Sequence, residues 1–435
     1  MRMMRYSWDM QNKLLWAAVW AGCVASISMF ATAGGVTYLQ EGAAWTLKEA
    51  QTAAVFFTTS ITVAQIQDNY RGVNISQPIP NTANAAMPTR KVRILIVPGH
   101  QPDTGGTVFD GLYERDVVVD IADALALLLS QNPHYEVMVA RTKTAWHPIL
   151  QSYFDTHALE IDTFKQSQAL QMANVLADER FILEEDQVYH NGVSSQAALQ
   201  LYGINKWTSD NGYDITLHLH VNDYAGRRAR RVGTYDGFTL YVPDHQYSNA
   251  AASRTVAEAI AARLAAYHAT STLPKEDKGV VEDQQLIATG SNNTVNGAAL
   301  LIEYGYIYEP QFRNSSVRSV AVADYAYQTY LGLQDFFKDP ITPTYGSVSF
   351  PYDWSQVDAE KGAAGPDIYA LQAALRHLGY YPPLGKSFSD CPVSGKAGPC
   401  TRAAVEEYQS ALGFGSTGML GPQTRAALAR DLAIP

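Results

Sequence analysis

Four polar residues stand where apolar runs of the sequence stop. His100 closes KVRILIVPGH, and Glu114 follows fourteen positions later in LYERD, where a helical pattern opens. His220 closes LHLH, and Glu303 closes ALLIE. Two imidazoles and one carboxylate make a three-ligand metal site that keeps a fourth position for water. Zinc in such a site brings the pKa of its water to about 7 and polarises a carbonyl. A second carboxylate that is not a ligand can take the water's proton and hand it to a leaving amine. His100, Glu114 and His220 as ligands, with Glu303 as the proton carrier, are therefore equipment for hydrolysing an amide. A single strand-end histidine is commonly structural, so the reading rests on the set. A buried carboxylate after a run as apolar as ALLIE is costly unless it is paired or used. Two imidazoles with a carboxylate also suit other transition metals.

These residues need a scaffold that brings distant segments together. Residues 91–97 alternate and then run apolar, as a buried strand does. A helix follows over 116–130, with Val117, Ile121, Leu125 and Leu128 at helical spacing. Further strands are expected at 136–140, 214–219, 238–242 and 298–303, and helices at 250–267 and 316–337. Strands alternating with helices predict an α/β fold, one sheet flanked by helices on both faces. In open α/β sheets, sites gather where loops leave the strand ends. Residues 339–365 are rich in Pro and Gly and read as a linker. Residues 366–431 then form a small all-α domain of three helices.

Composition narrows the function classes. The 435 residues allow two or three domains. Hydrophobic residues at 47% and charged residues at 17% exclude a disordered chain. The net charge of −10 argues against general nucleic-acid binding, which needs Lys and Arg to meet phosphates. Three cysteines and no C-x-x-C exclude a cysteine zinc finger. Residues 14–33 are an uncharged apolar stretch behind Arg2, Arg5 and Lys13. That stretch reads as an uncleaved membrane anchor, as a signal peptide cleaved after Ala33, or as a lipoprotein signal at Cys23. Each reading exports the protein to the periplasmic or cell-wall side, as a membrane-anchored or secreted protein. Cys391 and Cys400, nine positions apart in SDCPVSGKAGPC, can close a disulfide loop there or remain free thiols. Residues 1–36 are then the anchor or signal and 37–90 a tether, with a helix expected within 45–67.

VPGHQPDTGG, Glu114, LHLHVND and IEYGYIYE together resemble the zinc-dependent N-acetylmuramoyl-L-alanine amidases of the amidase-3 type, over about residues 91–338. The resemblance implies zinc held by His100, Glu114 and His220, with Glu303 as the catalytic carboxylate and Asn222 supporting the second histidine. The sequence departs from that pattern in places. Gln101-Pro102 replaces a glycine-rich pair, Asp223 replaces a small residue, and Glu309 stands for Asn. His218 replaces Ser and faces the same side as His220, as a second candidate ligand or a core neighbour. Residues 146–195 are an insertion relative to the pattern, either a lid over the cleft or a surface addition. Arg227 and Arg228, in GRRARR, either hold stem-peptide carboxylates near the metal or belong to a solvated loop.

The C-terminal pattern LQAALRHLGYY, TRAAVEEYQ and GPQTRAAL resembles the type 1 peptidoglycan-binding domain. Most of its residues are structural, and the cysteine-containing loop is longer than usual. The joint implication is an exported peptidoglycan hydrolase that cuts between N-acetylmuramic acid and L-alanine. Its partners would be peptidoglycan and, if the N-terminal helix is uncleaved, the membrane; nucleic acid is not among them. The alternatives are a zinc peptidase acting on the stem peptide and a non-catalytic or autoinhibited wall-binding scaffold.

Overall fold

The computed structural model describes residues 61–71, 90–339 (apart from 185, 186, 189, 191 and 229), 352–360 and 362–432. The apolar stretch 14–33, Cys23 and most of the segment read as a tether lie outside the described residues. Among the described residues, no helix is long and apolar enough to cross a membrane.

Among the described residues, the first elements are α1 (Val63–Arg71), β1 (Val92–Pro98), and a small hairpin of β2 (Val108–Phe109) and β3 (Leu112–Tyr113). Then come α2 (Glu114–Ser130), β4 (Tyr135–Val139), α3 (Pro148–Thr156), α4 (Ala158–Ala177) and α5 (Ser195–Asp210). β5 (Ile215–Asn222), β6 (Thr239–Pro243), α6 (Ala250–Tyr267), β7 (Val280–Asp283) and β8 (Ala298–Tyr306) follow. α7 (Pro310–Arg313) and the long α8 (Ser315–Phe337) complete the sheet domain.

Six strands form one mixed sheet in the order β4–β1–β5–β8–β6–β7. The first four are parallel, β6 runs antiparallel to β8, and β7 runs parallel to β6. Their near-continuous apolar sequences follow from burial on both faces. On one face Ile94, Ile96, Leu217, Leu219 and Leu300 share a core with α2, α6 and α8. On the other, Leu95 and Val97 meet Leu150, Phe154, Ile161 and Trp207 of α3, α4 and α5. The insertion is thus part of a packed layer, because its helices cover apolar sheet residues that would otherwise face water. The segment read as a tether also contributes: Ile66 and Tyr70, four apart on one face of α1, are buried in the core. Tyr70 stacks on Phe337 with ring centroids 4.2 Å apart.

Three helices, α9 (Pro366–His377), α10 (Pro399–Ala411) and α11 (Pro422–Asp431), make the C-terminal unit. Two buried glutamines organise its turns. Gln372 accepts from the backbone of Ser394 and Gly395, each at 2.9 Å, and donates to Thr401 at 3.0 Å. Gln409 accepts from the backbone of Thr417 at 2.9 Å and Gly418 at 3.0 Å, and donates to Met419 O at 2.8 Å. The motif glutamines are therefore loop clamps. Cys391 and Cys400 form a disulfide, with Cα atoms 5.7 Å apart.

Part of the segment read as linker is ordered structure. Trp354 and Val357 are buried, and Arg425 donates to Val357 O at 2.7 Å. The helical unit is also docked rather than separate. Tyr369 is buried near His268, and Tyr267 stacks on His377 at 5.0 Å between ring centroids.

Candidate metal centre

His100 lies just past the end of β1 in the left-handed region, with φ of 67°. The preceding Gly99 must be a glycine, since a Cβ there would lie 2.4–2.7 Å from the His220 ring. Arg141 fixes this strand end from behind. Its buried guanidinium donates to Pro98 O at 3.1 Å, to Gly99 O, and to Arg115 O at 3.0 Å. Burial lowers the Arg141 pKa to about 10, which leaves it charged.

Glu114 is the first residue of α2, and the β2–β3 hairpin delivers it there. Asp110-Gly111 turns that hairpin with φ of 48° and 79°, as an Asp-Gly pair allows. Glu114 N donates to Thr107 O at 3.0 Å, and Thr107 N returns a 2.8 Å bond to Glu114 Oε2. Val221 N donates to Glu114 Oε1 at 3.2 Å.

His220 lies on β5 beside Glu303 on β8, just before an irregularity in the pairing at His220–Asn222. Bulges of this kind re-aim side chains at sheet edges and sites. Here His220 Nδ1 lies 3.0 Å and His100 Nε2 2.8 Å from the same Glu114 Oε1. The three side chains therefore offer two nitrogens and one oxygen within 4.8 Å of one another. Burial alone would raise the Glu114 carboxyl, but the two imidazoles hold it well below the usual carboxylate range. Burial also lowers the His220 pKa, against the pull of Glu114. Glu303 Oε2 is buried without a hydrogen-bond partner. A carboxylate held by backbone donors, with two imidazole nitrogens converging on one of its oxygens, suits a divalent transition metal.

Burial pushes the Glu303 carboxyl well above its usual range, with Glu114 and Glu276 adding to the effect. Glu276 was not singled out by sequence reasoning. It is buried, and it accepts from Tyr241 and Ser271, from Tyr306 at 3.1 Å and from Asn222 at 3.3 Å. Asn222 is thus tied to a carboxylate cage next to Glu303. No spacing in KEDKG signals this role, because three of its four partners come from distant segments. Arg141 was equally silent: its partners are backbone carbonyls.

The other expected residues fall in three groups. His218 is buried outside the three-residue cluster, and burial lowers its pKa to about 3. Arg227 is committed to Asp223, with bonds of 2.6 and 2.7 Å, and its guanidinium lies over the Phe109 and Tyr308 rings. It is therefore not a free cation for a substrate carboxylate; Arg228 is exposed. Gln101 donates to Gln200 of α5 at 2.6 Å, on the rim of the site.

Comparison with known proteins places this geometry in context. A family model described as N-acetylmuramoyl-L-alanine amidase matches residues 94–335, and a peptidoglycan binding domain model matches 364–428. A zinc D-Ala-D-Ala carboxypeptidase of Streptomyces albus G is 37% identical over 79 residues, or 18% of this chain and 28% of that protein. The match thus spans little more than a quarter of that relative's length. Among solved structures, an N-acetylmuramoyl-L-alanine amidase from Clostridium difficile 630 aligns with TM-score 0.34 at 17% identity. It covers 58% of this chain and 99% of that one. The CwlV catalytic domain of Bacillus (Paenibacillus) polymyxa var. colistinus aligns with TM-score 0.35 at 14% identity, covering 57% and 98%. With more than half of its length matched by the amidase model, the chain belongs to the N-acetylmuramoyl-L-alanine amidase family.

Proposed function

We propose that this protein hydrolyses the amide between N-acetylmuramic acid and the L-alanine of the peptidoglycan stem peptide. The observation that carries this reading is the convergence of His100, Glu114 and His220 at the strand ends, with an unpartnered Glu303 carboxylate beside them.

His100 Nε2, Glu114 Oε1 and His220 Nδ1 would hold the metal, and zinc fits this donor set. Such an ion supplies Lewis acidity, making water acidic and the amide carbonyl electrophilic. The protein's own groups do the rest. The backbone N–H groups of Thr107 and Val221 fix the Glu114 carboxylate, so its free lone pair faces the two imidazoles. Glu303 takes a proton from the attacking water at its unpartnered Oε2 and returns it to the departing alanine nitrogen. A partly buried carboxylate with a raised pKa suits both transfers, since it is basic enough to hold the water's proton and still gives it up to the more basic departing amine.

The helical unit supports action on the cell wall, because binding the polymer raises the local concentration of its amides. The same reading puts the working protein on the periplasmic or cell-wall side, with residues 14–33 as anchor or signal. The 79-residue likeness to a zinc carboxypeptidase favours one other reading, a peptidase cutting within the stem peptide. Digestion of purified sacculi followed by mass spectrometry separates them. The amidase releases stem peptides that begin at L-alanine and leaves muramic acid without peptide, in a chelator-sensitive way. A peptidase leaves every muramic acid bearing a shortened peptide.

A further inference from the structure

Away from the metal centre, a cleft of about 370 Å³ separates the sheet domain from the disulfide loop of the helical unit. Tyr235, Asp236, Tyr308 and Glu309 line one side, and Phe388 and Ser389 the other. Thr239 pairs with Glu303 in the antiparallel β6–β8 ladder. Residues just before Thr239 therefore lie beyond the end of β8 that carries Glu303, and the cleft sits at the same end of the sheet as the site. The Cys391–Cys400 disulfide constrains the loop that carries Phe388, and Ser389 Oγ lies 3.5 Å from Asp236 Oδ2 across the cleft. The Arg376 guanidinium backs the Phe388 ring at 4.8 Å from its centroid.

The lining selects a chemical class. The Asp236 carboxylate faces the space, the Glu309 carboxyl behind it is already met by the Gly237 and Tyr306 N–H groups and the Gln311 amide, His268 in the lining is paired with Asp324, and no Lys or Arg is among the described residues lining it. Such a wall repels anions and accepts hydrogen bonds from hydroxyl and amide donors. Aromatic rings beside those acceptors suit an apolar C–H face. A neutral pyranose has both features, and the volume is within the range of small-molecule sites. We propose that this interdomain cleft binds a neutral amino-sugar segment of the glycan strand while the neighbouring stem peptide lies at the metal centre. The inference rests on the reading of this protein as a peptidoglycan hydrolase. It gives the docked helical unit a role in positioning as well as in retention: one polymer is held by both domains at a fixed spacing from Glu303.

The test is calorimetric titration of the full, metal-loaded chain with the β-1,4-linked tetramer of N-acetylglucosamine. That sugar carries no amino acid, so its binding is separate from hydrolysis, and the cleft's share of it is read from the cleft variants. F388A removes the aromatic wall and S389W fills the space from an exposed position; each is expected to weaken binding roughly tenfold. D236N, which keeps the side chain's shape, is expected to weaken it about threefold. Melting curves establish that each variant is folded. Wild-type affinity in folded F388A and S389W would overturn the proposal, as would binding of an alkyl amine such as N-acetyl-lysine in place of the tetramer. Cleft-dependent tetramer binding by a protein that fails to cut sacculi would remove the amidase reading and leave this one standing. Cutting without tetramer binding would do the reverse.

Discussion

Among the described residues, two clusters bring three potential metal-ligand side chains within reach of one another, and they differ in construction. His100, Glu114 and His220 come from the ends of β1 and β5 and the first turn of α2. Glu184, Asp244 and His245 come from a loop and the turn after β6. In the first, backbone donors hold the carboxylate, Gly99 makes room for an imidazole, and two ring nitrogens converge on one carboxylate oxygen. In the second, Glu184 and His245 are exposed, and His245 Nδ1 already lies 2.9 Å from Glu282. The hydrogen bond to Glu282 and the nearby Asp244 charge raise the His245 pKa, favouring a proton over a metal on that ring. Donor types in proximity are common on acidic surfaces. What separates a site from a coincidence is a scaffold that fixes the donors and aims them at one point.

The largest expected effect comes from removing one ligand at each cluster. H220A should lose its bound metal and its sacculus-cleaving activity, while H245A keeps both; metal analysis of the two dialysed proteins checks this. An H245A protein that loses metal would invert the comparison. Next comes E303Q, which should keep full metal content and lower kcat by about 10²–10⁴. Loss of metal in E303Q would make Glu303 a ligand instead.

G99A tests the scaffold itself. Its new Cβ would meet the His220 ring at 2.4 Å, so the ring must move. The expected loss is about 10–100-fold in metal affinity, the size seen when supporting groups around a metal are disturbed. Competition with a chelating dye measures it, and unchanged affinity would mean that His220 is not held in place.

The smallest effect belongs to the second cluster. His245 has a raised pKa in the folded state, so its contribution to stability is present in full below about pH 6.5 and fades as pH rises through the folded value. Because the side chain is largely exposed, H245Q should lower the melting midpoint by no more than about one degree at pH 6 and leave it unchanged at pH 9. A large shift would mean that the cluster matters more than its exposure suggests.

The same contrast explains what the sequence made legible. The convergence of the candidate metal-centre residues was readable because each ends an apolar run or opens a helix, and the sheet brings such ends together. The elements at 250–267 and 298–303 were readable from their apolar patterns. The β2–β3 hairpin that delivers Glu114 had a signal in Asp110-Gly111, between runs too short to stand out as strands. Arg141 and Glu276 had none, since their work is to meet carbonyls and hydroxyls from remote segments. The docking of the helical unit was also hidden. Tyr369 and His377 lie on α9, and a helix pattern shows which residues are buried but not against which neighbour. The small apolar face of α1 was likewise covered by the expectation of a tether, although Ile66 and Tyr70 have the spacing of a packed turn.

The central claim is that one metal sits among His100, Glu114 and His220. Anomalous diffraction at the zinc edge from zinc-loaded crystals tests it most directly. The account predicts a single strong peak about 2.0–2.2 Å from His100 Nε2, His220 Nδ1 and a Glu114 oxygen. A peak at His245, or none between the two imidazoles, would contradict it.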